Sequence, residues 1–292
     1  MNMLEKALEK SLEKSKDGNN IQDNSNKTSE NDQLHNELNL DSDKELLTGD
    51  NEDIVYFDWK NLSENGFIQL DDTYSRVAEE YRSIKRPLVT NALGARKRDI
   101  KNANLILVTS SIPGEGKTFT SINLAFSIAA ELDKKVLLID ADVAKPSVSK
   151  VLGIKSEIGL IDFLETDSLS LSDIILQTEI PGLRIIPAGK SHNFSTELLA
   201  SDKMIALSQE LSERYSDRIV IFDTPPLLAT TQAEVLASQM GQVILVIGAE
   251  MTPQSFVLES VKKLQSCSDV VLGLLNKAQR NLNSGYYGYG NY

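Results

Sequence analysis

The sequence predicts an α/β protein whose doubly wound, mostly parallel sheet is covered by helices on both faces. Three observations carry this expectation. Apolar runs such as Val136-Leu137-Leu138-Ile139 and Val243-Ile244-Leu245-Val246-Ile247 are continuous rather than alternating, as strands buried on both faces require. Strand-like and helix-like segments alternate from Leu105 onward, the pattern of parallel strands joined by crossover helices. The first of these strands, around Leu105-Ile106-Leu107-Val108, runs directly into a glycine-rich turn that opens a helix.

Taken in order, the chain begins with residues 1–16, where Leu4, Leu8 and Leu12 share one stripe among Glu and Lys. This predicts a short amphipathic helix. Residues 17–52 are rich in Asn, Asp, Ser and Glu and too poor in apolar groups to offset ordering entropy. They are expected to be a disordered acidic linker. Apolar residues return over 54–70, and a helix is expected at about 73–93. Strands follow at 104–109, 135–140, 183–187, 219–223, 243–248 and 270–275. Helices are expected at 117–131, 146–152, 158–164, 171–176, 196–215, 231–240 and 253–267. The main domain spans 53–280, and 281–292 form a flexible Tyr/Gly tail.

Composition narrows the functional classes. A net charge of −12 argues against a nucleic-acid partner. Residues 1–60 hold 15 acidic and 7 basic side chains, so most of the excess charge sits outside the main domain. No apolar stretch reaches the roughly 18–20 residues of a membrane span, and no secretory apolar core opens the chain. The one cysteine, Cys267, excludes an internal disulfide and fits a reducing compartment. His35 and His192 lie too far apart in sequence to suggest a histidine metal site or triad.

The turn reads Ser111-Ile112-Pro113-Gly114-Glu115-Gly116-Lys117-Thr118. Small residues let a backbone fold around phosphate oxygens and aim its N–H groups inward. Lys117 offers a charge to the outer phosphates, Thr118 offers a hydroxyl to Mg²⁺, and the helix N-terminus attracts an anion. The fold is therefore expected to be of the P-loop NTPase type. Ser111 stands where the pattern has Gly.

Two strand ends supply carboxylates: Asp140-Ala141-Asp142 and Asp223, the latter followed by Thr224-Pro225-Pro226. In open α/β sheets ligands bind beyond the carboxyl ends of strands. Mg²⁺ prefers one or two carboxylates plus phosphate oxygens and water. Thr118, Asp142 and Asp223 are therefore the expected metal set, and Lys117, Asp140 and Asp142 the expected catalytic group. Asp140 is assigned as the base, although the residues alone leave open which Asp does which job. Four of the eight tyrosines, Tyr286, Tyr287, Tyr289 and Tyr292, fall in the last seven residues. Phenolic hydroxyls on a mobile arm are candidate phosphoacceptors.

Together these motifs resemble those of the bacterial tyrosine (BY) kinases, autokinases of capsule and exopolysaccharide systems. The resemblance covers about residues 73–292. It implies ATP and Mg²⁺ as cofactors and transfer to the tyrosine tail of a neighbouring subunit in a ring-like homo-oligomer. It implies nucleotide contacts at Ser111, Pro113, Gly114, Glu115, Gly116, Lys117 and Thr118, with adenine contacted by Asn276. Glu79, Arg82 and Lys85 fall on the family's assembly motif, with Lys85 replacing its last Arg, and Ala144 replaces an Arg of the second nucleotide motif. It further implies a cytoplasmic chain, peripheral at the inner face of the plasma membrane. A transmembrane polysaccharide co-polymerase or chain-length regulator would recruit and activate it, and a cognate tyrosine phosphatase would oppose it. The short N-terminal helix and acidic linker resemble the stand-alone, exosortase-associated subgroup. The alternative is a partition or positioning ATPase, which would carry Lys at the position of Ile112 and lack the tyrosine tail. A non-catalytic nucleotide-binding module is disfavoured by the intact Lys117, Thr118, Asp140, Asp142 and Asp223.

Overall fold

The continuous apolar runs become the centre of a seven-stranded sheet in the structure of the chain, a computed structural model that describes residues 54–70, 75–190 and 194–278. The short N-terminal helix (1–16), the acidic linker (17–52), His35, His192 and the tyrosine tail lie outside the described residues.

The described elements are α1 (Trp59–Glu64), α2 (Arg76–Leu93), a 3-10 turn (Ala95–Arg98), β1 (Leu105–Ser110), α3 (Lys117–Ala129), β2 (Lys135–Asp140), α4 (Val148–Leu152), α5 (Leu160–Glu165), α6 (Leu171–Ile174), β3 (Leu176–Gln177), β4 (Leu183–Ile186), α7 (Ser195–Leu199), α8 (Asp202–Glu213), β5 (Arg218–Asp223), α9 (Gln232–Ala237), β6 (Gln242–Gly248), α10 (Gln254–Gln265) and β7 (Val271–Asn276). The sheet order is β3-β4-β2-β5-β1-β6-β7. Every pairing is parallel except β3 with β4.

Alternate residues of each central strand feed opposite cores. Leu105, Leu107, Leu137, Ile139, Val220 and Phe222 face one side, where residues of α5 to α10 cover them. Ile106, Val108, Val136, Leu138, Ile219 and Ile221 face the other, under α1 to α4. Both sets are nearly free of solvent exposure. At about 1.5–3 kcal/mol per buried large aliphatic side chain, this two-sided burial is the main source of sheet stability. It also accounts for the missing polar alternation, because neither face meets water.

Three expectations needed correction. The helix expected over 196–215 is two helices, because Ser201 turns its hydroxyl to accept the Met204 N–H and caps a fresh start. The helix expected over 171–176 stops at Ile174, and Leu176–Gln177 form an antiparallel edge strand against β4. Residues 59–64 form a helix that the apolar content of 54–70 did not specify. Asp58 caps it by accepting the Asn61 N–H. This entry segment is anchored by Glu179, whose Oε1 accepts from the Phe57 N–H (2.7 Å) and the Trp59 indole (2.9 Å). Phe57, Trp59 and Phe126 pack ring against ring beneath it. No described helix is long and apolar enough to cross a membrane.

For function, the important consequence is register. The β2–β5 ladder pairs Asp140 with Asp223, and the β1–β5 ladder pairs Val108 with Asp223. The carboxyl ends of three neighbouring strands therefore deliver the phosphate loop and the acidic residues to one edge.

Candidate active site

The loop begins where β1 ends and closes where α3 begins. Gly116 sits at φ +97°, a conformation open mainly to glycine. A Cβ there would stand 2.1 Å from Asn276 Nδ2, so the close approach of loop and β7 end also demands glycine. The first N–H groups of α3 have no intrahelical partner and point along the helix axis into the loop.

The acidic strand ends reach the loop directly. Thr118 Oγ1 donates to Asp223 Oδ2 (2.7 Å), and Ser121 Oγ donates to Asp223 Oδ1 (2.9 Å). Lys117 Nζ lies 2.7 Å from Asp142 Oδ2, in a pair largely shielded from solvent. Asp140 Oδ2 accepts the N–H groups of Ser147 and Val148 (3.0 Å each), while its Oδ1 accepts the Asp142 N–H at 3.3 Å. Asp140 therefore also caps α4, a structural role added to the catalytic one expected. Burial pushes the Asp140 carboxyl up to about 7, and the neighbouring Asp223 charge adds to the rise. Burial pushes Asp223 up to about 6, against the pull of Lys117 and of the Thr118 and Ser121 hydroxyls. Ser121 was not anticipated. Its signal was its place one helical turn after Lys117, on the face that meets the end of β5.

Other expected contacts fall differently. Pro113 and Gly114 are exposed at the tip of the loop. The Glu115 carboxylate is fully buried and turned into the protein, so only its backbone faces the loop interior. Ser111 Oγ accepts from Ser260 Oγ (2.9 Å), which makes its side chain a brace. Asn276 is brought to the site, where its Nδ2 donates to the Glu115 carbonyl (2.8 Å).

The three assembly candidates part ways. Glu79 and Arg82 form an ion pair along the surface of α2. Lys85 is buried; its ammonium contacts Glu131 Oε1 (2.7 Å) and the Ser127 carbonyl at the end of α3. It ties two helices of one chain together rather than facing outward with Glu79 and Arg82.

The donor set fits a magnesium-bound triphosphate. Hydroxyl and carboxylate oxygens at Thr118 and Asp223 suit a hard cation, and Lys117 and the N-terminus of α3 suit the phosphates. Among the described residues no three His, Cys, Asp or Glu side chains form a metal-ligating group. A cation here would be held jointly by protein oxygens, phosphate and water.

A sheet with this strand order, carrying this loop and these strand-end carboxylates, defines a phosphate-loop nucleotide-binding domain. The family described as AAA domain matches residues 103–278. The tyrosine-protein kinase YwqD of Bacillus subtilis (strain 168) is 32% identical over 224 residues, covering 76% of this chain and 90% of YwqD. The kinase domain of the Escherichia coli tyrosine kinase ETK superposes with a TM-score of 0.65 at 28% identity, over 77% of this chain and 85% of that domain. The putative tyrosine-protein kinase EpsB of Ralstonia nicotianae (strain ATCC BAA-1114 / GMI1000) is 35% identical over 187 residues, or 64% of this chain. The match spans about a quarter (24%) of EpsB. The chain belongs to the bacterial tyrosine-protein kinase family.

Proposed function

We propose that the chain is an ATP- and Mg²⁺-dependent protein-tyrosine autokinase that phosphorylates the tyrosine cluster Tyr286, Tyr287, Tyr289 and Tyr292 of a neighbouring subunit. The observation that carries this reading is the Thr118–Asp223 contact beside Lys117 and Asp142, set at the mouth of a phosphate loop. ATP·Mg²⁺ supplies the phosphoryl group and the cation that neutralises its charge. Thr118 and Asp223 hold the metal side of the site, with Asp142 beside them. Lys117 moves its charge from Asp142 to the outer phosphates. Asp140 accepts the tyrosine proton; burial raises its carboxyl to about 7, which makes it a stronger base than an ordinary carboxylate.

The same reading places the chain in control of exopolysaccharide or capsule synthesis or export, as a ring-like homo-oligomer. It would be cytoplasmic, held at the inner face of the membrane by a transmembrane polysaccharide co-polymerase that activates it, with a tyrosine phosphatase resetting the tail. Glu79 and Arg82 remain on an outward helix face suited to subunit contact. The absence of Lys at Ile112 weighs against a positioning ATPase.

The test is incubation of the full chain with Mg²⁺·ATP, with and without a co-polymerase cytoplasmic segment, followed by phosphotyrosine detection. Signal that depends on Mg²⁺ and disappears in Lys117→Met supports the reading. Nucleotide hydrolysis without phosphotyrosine under both conditions refutes it.

A further inference from the structure

Glu115 presents a physical puzzle. A negative carboxylate within an anion-binding loop opposes the ligand by Coulomb repulsion, yet here it is fully buried. Its hydrogen bonds show what it does instead. Oε2 accepts the Ile112 N–H (2.7 Å), bridging the loop across its own base. Oε1 accepts the Gly248 N–H (3.0 Å) at the end of β6 and the Thr252 hydroxyl just before α10. Thr252 is itself fixed, because its N–H donates to the Gly248 carbonyl (3.0 Å). One carboxylate therefore collects three donors from two chain segments more than 130 residues apart. The outer rim of the loop is gripped as well: Asn276 holds the Glu115 carbonyl (2.8 Å), and Lys277 Nζ donates to the Gly114 carbonyl.

We propose that Glu115 is a positioning residue for nucleotide binding, clamping the phosphate loop to the Gly248–Thr252 turn so that its remaining N–H groups stay aimed at the phosphates. With the Ile112 N–H and the base of the loop satisfied from beneath, the residues from Gly114 to Thr118 are pre-set in their binding geometry. Preorganisation of this kind acts on affinity, because the loop need not be ordered when the ligand arrives. Thr252 is the second half of the clamp. The inference rests on the reading of this loop as a phosphate site, and its test separates the two.

The experiment titrates Mg²⁺·ADP into the full-length chain and compares wild type with Glu115→Gln, Thr252→Val and Thr252→Ser. In Glu115→Gln the amide NH₂ must face the N–H of either Ile112 or Gly248, two donors against each other, so the clamp opens. Thr252→Val deletes one donor, and Thr252→Ser keeps it. Glu115→Gln and Thr252→Val are each expected to raise the nucleotide Kd about 10-fold or more, and the double variant by less than the product of the two. Thr252→Ser should stay within about twofold of wild type. Amide exchange at Ile112 and Gly248 should quicken in Glu115→Gln. A folded Glu115→Gln or Thr252→Val with unchanged Kd overturns the proposal, even if its melting temperature falls. If Glu115→Gln does not fold, the Thr252→Val and Thr252→Ser pair decides alone. Failure of wild type itself to bind Mg²⁺·ADP overturns the phosphate-site reading, and the clamp with it.

Discussion

Asp140 and Asp223 are register partners across the β2–β5 ladder, and both are buried, which ties stability to pH. Their ordinary pKa is 3.8, but burial raises them to about 7 and about 6, with the Asp223 charge adding to the rise at Asp140 and the Asp142 charge to that at Asp223. The native state thus holds more protons than the unfolded chain between these values. Stability contributed by these groups falls as pH rises through that window, by at most about 4 kcal/mol for Asp140. Urea denaturation without divalent cations, from pH 4.5 to 7.5, should show a flatter profile for Asp140→Asn than for wild type. An unchanged slope contradicts the pairing. Lys117→Met should lower phosphotyrosine formation at least about 100-fold, because it removes the side-chain charge that the proposed function assigns to the outer phosphates. At this scale the sequence was informative where a residue's direction follows from its strand. Asp223 must emerge at the sheet edge because Ile219 to Phe222 are buried on alternate faces. It was uninformative for Glu115, whose direction is set by Gly248 and Thr252, partners that no local pattern reveals.

Among the elements, α2 carries the clearest departure from expectation. Lys85 reaches across to Glu131 and the Ser127 carbonyl, so it secures α2 to α3 within one chain. Lys85→Ala should cost about 1–3 kcal/mol in denaturant unfolding while leaving oligomeric state in solution unchanged. A change of oligomeric state at constant stability would return Lys85 to an assembly role. The split between α7 and α8 makes a second prediction. Ser201→Ala removes the cap of α8 and should destabilise the chain by about 1 kcal/mol in the same assay. The strands were legible because a doubly covered sheet writes itself as unbroken apolar runs. The split was not, because Ala200 and Met204, four apart, and Leu198 and Ile205, seven apart, keep a helical spacing across it and only the serine hydroxyl marks the stop. Edge strand β3 left no signal either: two residues are too few to show a period.

At the scale of the whole molecule, the loop at 111–118 is the proposed phosphate site and the last seven residues hold the candidate acceptor tyrosines. The proposed nucleotide site lies between the loop and the strand-end carboxylates, in a chain of the tyrosine-protein kinase family. The proposal adds where its phosphoryl group goes. Residues 1–52 contain none of the residues proposed for that chemistry, so their removal should leave intrinsic phosphorylation within about twofold of the full chain in a Mg²⁺·ATP assay. Transfer between subunits is the central claim, and it has a direct measurement. A Lys117→Met chain with an intact tail is mixed with an active chain cut before Tyr286, supplied with Mg²⁺·ATP, and mapped by mass spectrometry. The account predicts phosphate on Tyr286, Tyr287, Tyr289 or Tyr292 of the inactive chain. An unlabelled tail on that chain, alongside labelled tails in an intact active control, would contradict it.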